Sequence, residues 1–165
     1  MKVQGKSVAF GNDVNTDLII PGKYLTMLDP DELAQHAMEG LDPTFTGKAK
    51  VGVIIVAGKN FGCGSSREQA PIALKHAGVR CILAESFARI FYRNAINIGM
   101  PVLECPSIQD TVAPEDQLVV DLAEGKVTNL SRNQTFQASR LPSFILEIIE
   151  DGGLIENLKK RLKTK

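Results

Sequence analysis

The sequence lacks a charge excess, long apolar runs, paired cysteines and, all but twice, histidine. Nineteen basic residues balance nineteen acidic ones. No global field therefore draws the chain to nucleic acid or an anionic membrane, and neither is an expected partner. The one basic cluster, Lys159-Lys160-Arg161 with Lys163 and Lys165, reads as a solvated helix end where cations complement the dipole. The longest apolar stretch, residues 51–57, is strand-sized and falls well short of the roughly 20 residues that span a bilayer. Residues 1–10 hold no apolar run of the signal-peptide kind, so the expected compartment is the cytoplasm. The glycosylation patterns at Asn129 and Asn133 then carry no meaning.

The three cysteines, Cys63, Cys81 and Cys105, are widely spaced and include no Cys-x-x-Cys. A zinc site or a complete iron–sulfur site within this chain is not expected. Cys81 and Cys105 sit in apolar strand-like runs and read as small buried hydrophobes. Cys63 lies between two glycines in a polar turn. The two histidines, His36 and His76, fall in helical segments with no route to Ser65. With Gly-x-Ser-x-Gly also missing, a Ser-His-Asp hydrolase is not expected. Neither a Walker Gly-Lys-Ser/Thr nor a Gly-x-Gly-x-x-Gly is present.

A chain of 165 residues suits one domain with one core. Apolar, non-alternating runs at 51–57 and 79–84 predict strands covered on both faces, as in a parallel α/β sheet. Shorter strands are predicted at 7–10 and 101–104. Asp29-Pro30 starts a helix that should run to Glu39 and stop at Gly40. A second helix is predicted from Arg67 to His76, ended by Gly78. A third, capped by Ser86, should run over 87–98 to Gly99. Strand–helix–strand–helix–strand implies right-handed parallel crossovers. Farther on, 118–122 and 126–130 predict a β-hairpin, 135–138 a further strand, and 142–150 and 154–162 two helices broken by Gly152-Gly153. The whole reads as a single α/β domain over 1–165.

The chemistry concentrates in the turn that follows the strand at 51–57. Glycines at 58, 62 and 64 let backbone and ligand approach closely, and a helix start just after Ser65-Ser66 would offer unpaired N–H groups and a positive dipole end. A phosphate, a carboxylate or an anionic side chain fits such a site. Arg67 beside paired serines can also stabilise a serine alkoxide and bind a carboxylate bidentately. For a bare Ser-Ser-Arg a plain helix cap with a surface ion pair is the ordinary reading.

The wider segment Gly58-Lys59-Asn60-Phe61-Gly62-Cys63-Gly64-Ser65-Ser66-Arg67-Glu68 resembles the signature of the aconitase swivelling domain, in the version found in small subunits of 3-isopropylmalate dehydratase. The N-terminal segment 12–25, from Asn12 through Asp17 to Pro21-Gly22 and Leu25, is similar to that family's first motif. Phe87-Ala88-Arg89-Ile90-Phe91-Tyr92-Arg93-Asn94 with Gly99 is similar to its second helix. The resemblance is clear over residues 7–105 and vague beyond them.

It implies an aconitase-like swivelling β/β/α domain and a hydro-lyase that dehydrates a hydroxy diacid and rehydrates the alkene with the hydroxyl moved. It further implies that a [4Fe-4S] cluster sits in a separate large subunit, with no cofactor in this chain, which acts as the lid of a heteromer. On the matching positions Ser65 is the base, Arg67 the carboxylate clamp and Asp17 an active-site aspartate. Gly64 and Ser66 fall on substrate-binding positions, Ser66 through its backbone N–H. Cys63 is left without a role, and Arg93 and Asn94 fall where the turn or the large-subunit interface is anchored.

In this family the loop after Pro21-Gly22 reads the group that distinguishes substrates. Here it is Tyr24-Leu25-Thr26-Met27-Leu28, without the arginine that relatives use for an extra carboxylate. An isopropyl or methyl group buried there is worth about 1.5–3 kcal/mol, whereas an unpaired carboxylate is costly. The loop therefore favours 3-isopropylmalate over citrate or homocitrate, with citramalate and 2,3-dimethylmalate open. A non-catalytic anion-binding module is the other class the turn fits.

Overall fold

The computed structural model describes residues 1–163; Thr164 and Lys165, the end of the terminal basic cluster, lie outside the described residues. β1 (Lys2–Ala9) joins the two halves of a seven-stranded sheet ordered β4-β3-β2-β1-β5-β6-β7. Its first half pairs antiparallel with β5 (Gln117–Asp121), and Lys6 to Ala9 pair parallel with β2 (Val53–Ala57). β1 begins five residues before the predicted strand. Lys2, Gln4 and Lys6 alternate outward along it, so no apolar run marks its start.

β2, β3 (Val79–Ala84) and β4 (Val102–Glu104) continue the sheet in parallel, as the apolar runs predict. β2 is buried at every position. It starts at Val53 rather than Val51, because Gly52 turns the chain at φ +87° and leaves Val51 72% exposed. On the other side β5, β6 (Lys126–Asn129) and β7 (Gln134–Gln137) form an antiparallel meander.

Helices cover the parallel half. α1 (Thr16–Ile19) is a single turn capped by Asn15, whose side chain accepts from Leu18 N, and a 3-10 turn (Gly22–Tyr24) follows. α2 (Pro30–Ala34) starts as predicted, with Asp29 accepting from Asp31 N and Glu32 N. It ends five residues before Glu39. The chain reverses at Met38 (φ +60°), whose N–H reaches Ile19 O at 2.8 Å, so tertiary closure overrides the helical pattern. α3 (Phe45–Ala49), which no sequence signal marked, follows an Asp42 turn and buries Phe45 completely.

α4 (Gln69–Ala77) packs against α2 and ends at the left-handed Gly78, as predicted, but begins two residues later than Arg67. α5 (Arg89–Asn97) also begins late, because Ser86 is not its cap; the Ser86 hydroxyl accepts from Asn60 N at 2.9 Å instead. α6 (Ile108–Thr111) lies against β2 and β3. α7 (Ser143–Glu150) and α8 (Leu154–Lys163) pack on α5, with Gly152 and Gly153 between them as expected. One core runs through both halves of the sheet, so the chain is a single mixed α/β domain. Among the described residues no helix is long and apolar enough to cross a membrane.

Candidate active site

The site lies beyond the C-terminal ends of the parallel strands, the end where open α/β sheets gather ligands. There three segments zip together. Asp13 N donates to Lys59 O (2.9 Å), Gly62 N to Val14 O (2.7 Å) and Thr16 N to Cys63 O (2.9 Å). Asn12 Oδ1 accepts from Lys59 N at 2.7 Å, and Asp13 Oδ1 from Asn60 Nδ2 at 2.9 Å. On the other flank Phe61 N donates to Ser86 O and Ala88 N to Phe61 O, both at 3.0 Å. The glycine turn is thus the middle of a short extension of the sheet. Its neighbours are the polar N-terminal segment and the start of α5.

Two glycines in the turn are required by geometry. Gly62 has φ +80°, and a Cβ there would run into the Phe91 ring. Gly64, at φ +89°, turns the chain outward so that Ser65 and Ser66 are exposed. Ser65 is held from behind, since the hydroxyl of the buried Thr16 donates to Ser65 O at 2.8 Å. Arg67, with its side chain 13% exposed, turns back toward α1. Its Nη1 donates to Asp17 Oδ1 at 2.6 Å and to Ile20 O at 3.0 Å. Those two bonds use both Nη1 hydrogens and leave the Nε/Nη2 edge, which suits a bidentate carboxylate.

Thr16, Gly62, Gly64, Ser65, Ser66 and Arg67 line one wall of a cavity of about 450 Å³, and residues 88–91 with Arg93 line the other. Asp17 joins the site through Arg67. The loop residues Tyr24, Leu25, Thr26 and Met27 are placed differently, and none of them lines this cavity. Tyr24 stacks on His36 at 3.7 Å, Leu25 and Met27 pack partly into the core, and Thr26 is exposed. The loop adjoins the site at Gly22, beside Arg67 and Asp17, and through Gln69, which donates to Leu25 O at 3.4 Å.

The late start of α4 alters the electrostatics. Three residues separate Ser65 from Gln69, so the α4 dipole, which acts within about one turn, contributes less at Ser65 than a helix beginning at Arg67 would. Arginines take that place. Arg93 faces the cavity, as does Arg89, which sequence reasoning missed although the i, i+4 spacing on α5 puts both on one face. Asn94 lies elsewhere, in a recess with Glu68 and Ile155. His36 pairs with Glu39 and His76 with Asp31.

The thiols do not suit a cluster. Cys63 is half-buried and its backbone bridges to Asn15, while Cys81 and Cys105 lie in the core. Burial pushes the Cys81 thiol far up and the Cys105 thiol up to about 11, so both stay protonated at neutral pH. Among the described residues no three His, Cys, Asp or Glu side chains are grouped to hold a metal.

The family model for the aconitase C-terminal domain matches residues 31–107. The 3-isopropylmalate dehydratase small subunit of Halothermothrix orenii is 55% identical over 163 residues, covering 99% of this chain and 99% of that protein. The isopropylmalate/citramalate isomerase small subunit of Methanocaldococcus jannaschii is 52% identical over 160 residues, covering 97% of this chain and 95% of its own length. A crystal structure of 3-isopropylmalate dehydratase from Methanocaldococcus jannaschii matches with a TM-score of 0.93 at 46% identity, over 99% of this chain and 97% of that one.

Proposed function

The chain belongs to the family of 3-isopropylmalate dehydratase small subunits, within the aconitase superfamily, and on that premise we propose that Ser65, Arg67 and Asp17 are the catalytic groups it brings to a hydro-lyase completed by a large subunit. The observation that carries this reading is the Arg67 geometry: one nitrogen is tied to Asp17 and Ile20, the other edge makes no hydrogen bond to a described residue, and Arg67 lines the same cavity as the exposed Ser65.

The reaction interconverts 2-isopropylmalate and 3-isopropylmalate through 2-isopropylmaleate. In the forward direction the Ser65 alkoxide takes the proton from the carbon alpha to a carboxylate. The electron pair left behind forms the C=C bond as the hydroxyl leaves the neighbouring carbon, taking a proton from solvent to depart as water. Rehydration reverses this with the carbons exchanged: a water adds its hydroxyl to the carbon that had lost the proton and gives its remaining proton to solvent, while Ser65 donates its own proton to the other carbon and is an alkoxide again. A serine hydroxyl is a very weak acid, so the alkoxide needs positive potential. Arg67 supplies it and at the same time clamps the carboxylate through its open edge. Asp17 sets the orientation of Arg67. Thr16 fixes the Ser65 carbonyl, and Gly64 and the Ser66 N–H shape the pocket floor against the substrate.

We place the family's [4Fe-4S] cluster in the large subunit, because two of the three thiols here are buried in the core and Cys63 has no grouped His, Cys, Asp or Glu among the described residues to complete a ligand set. Three free thiols suit the reducing cytoplasm. We assign the isopropyl group to the loop Tyr24-Leu25-Thr26-Met27, which adjoins Arg67 through Gly22 and is expected to meet the substrate when the large subunit closes the site. Citramalate is a second candidate substrate, since one relative at 52% identity bears that activity in its name. Anaerobic reconstitution with the large subunit, followed by alkene absorbance, tests the reading. Turnover of isopropylmalate above citramalate, and of neither citrate nor homocitrate, is expected; a preference for homocitrate contradicts the loop assignment.

A further inference from the structure

Behind the loop Tyr24-Leu25-Thr26-Met27 lies a polar cluster that no step of the reaction uses. Tyr24 lies flat on His36, with ring centroids 3.7 Å apart and planes 11° from parallel. His36 Nδ1 is 2.9 Å from Glu39 Oε2. Lys23 Nζ sits 4.8 Å from the Tyr24 ring centre and 3.9 Å from Glu39 Oε1. Burial raises the Glu39 carboxyl, but hydrogen bonding to His36 and then to Tyr24 outweighs it and holds the group below its ordinary value. Lys23 and Tyr24 belong to the loop side, whereas His36 and Glu39 come from the segment that follows α2.

The cluster is tied to the same turn that holds Arg67. The chain reverses at Met38, whose N–H reaches Ile19 O at 2.8 Å. The next carbonyl, Ile20 O, accepts from Arg67 Nη1 at 3.0 Å, and Asp17 Oδ1 accepts from the same nitrogen at 2.6 Å. The turn α1 with its cap Ile20 thus holds Arg67 on one side and the His36–Glu39 segment on the other. The loop has little else to fix it. Its backbone bonds are local, from Tyr24 N to Pro21 O, Leu25 N to Gly22 O and Met27 N to Tyr24 O. The bond from Gln69 Nε2 to Leu25 O is long at 3.4 Å, and beyond it Thr26 and Leu28 are exposed.

We infer that His36 and Glu39 are positioning residues for substrate selectivity, bracing Tyr24 so that the loop stands at a set distance from Arg67. The inference rests on the proposed function, which sends one substrate carboxylate to Arg67 and the isopropyl group to the loop. A substrate gripped at that carboxylate presents its alkyl branch at a fixed reach. The isopropyl branch gains from a loop already in place, whereas the smaller methyl branch of citramalate gains less. A loop without the brace must be ordered at each binding event, and that cost falls on the substrate that uses the contact. Neither His36 nor Glu39 touches substrate in this arrangement; both act through Tyr24.

The test uses the complete heteromer with the parent chain or with His36→Ala, His36→Phe, Glu39→Ala or Glu39→Gln. kcat and KM are measured for isopropylmalate, and citramalate is read as a substrate or as a competitive inhibitor. Urea unfolding and amide exchange over residues 24–28 are followed on the same proteins. The alanine variants should lower kcat/KM for isopropylmalate about tenfold. The loss should be carried by KM rather than kcat, with citramalate little affected and exchange in the loop faster. Glu39→Gln keeps an acceptor and His36→Phe keeps a stacking ring, so each should recover part of the loss. Unchanged selectivity overturns the inference. So does an equal loss for both ligands with a lowered urea midpoint, the signature of support for the fold alone. A parent enzyme that does not turn over isopropylmalate contradicts the proposed function, and the inference falls with it.

Discussion

Thr16→Val removes one hydroxyl and keeps the branched shape of a side chain only 3% exposed. The bond it deletes is the 2.8 Å donation to Ser65 O, while the backbone bond from Thr16 N to Cys63 O survives. A neutral hydrogen bond of this kind contributes about 0.5–1.5 kcal/mol net. Ser65 is exposed, so water can satisfy its carbonyl, and the low end of that range applies. Folding should therefore weaken only slightly. Catalysis should suffer more, because Ser65, the proposed base, is no longer held. A displacement of about 1 Å at a reacting group costs on the order of a hundredfold in rate, equivalent to about 2.7 kcal/mol. Urea unfolding of the small subunit reads the first quantity, and kcat of the reconstituted enzyme reads the second. An unchanged kcat would refute the positioning role of Thr16. So would a stability loss large enough to account for the whole rate effect through unfolded enzyme.

Two further perturbations follow from the fold. Gly62→Ala should cost roughly 2–5 kcal/mol, combining a left-handed alanine with displacement of the Phe91 ring. Gly47→Ala in α3, where a Cβ meets nothing, should instead gain about 0.5–1 kcal/mol; equal urea midpoints for the two variants would contradict the contact geometry. Lys48 first, and then Thr44, hold the Asp42 carboxyl below its ordinary value. The stabilisation this gives is complete above the ordinary carboxylate range and fades as pH falls through the lowered value. Asp42→Asn should flatten the acid side of the stability profile, and urea midpoints from neutral to acid pH that stay parallel with those of the parent would contradict it.

The parts of the fold legible in the sequence are those with local causes. Buried strands such as β2 and β3 announce themselves as apolar runs, and Asp29-Pro30 and Gly78 mark helix ends through backbone chemistry that involves only near neighbours. The misread boundaries have distant causes. α2 stops where Met38 bonds to Ile19, and Ser86 is drawn from a capping role to Asn60 across the sheet. For the candidate site, the glycine turn was visible, but its parallel zipper to residues 12–16 was not, because those bonds span about fifty positions. Arg89 was missed although the helical spacing from Arg93 was available. Its significance depends on which face of α5 meets the cavity, and that is set by Phe91 packing under Gly62.

On the proposed function this chain supplies the base of a hydro-lyase from an exposed serine backed by Arg67. Ser65→Ala in the anaerobically reconstituted heteromer tests it most directly, with assembly and substrate affinity measured on the same preparation. Intact assembly, near-parental affinity for isopropylmalate and a kcat lower by about 10²–10⁴, the usual contribution of a general base, are expected. Parental turnover by the Ser65→Ala enzyme would contradict it.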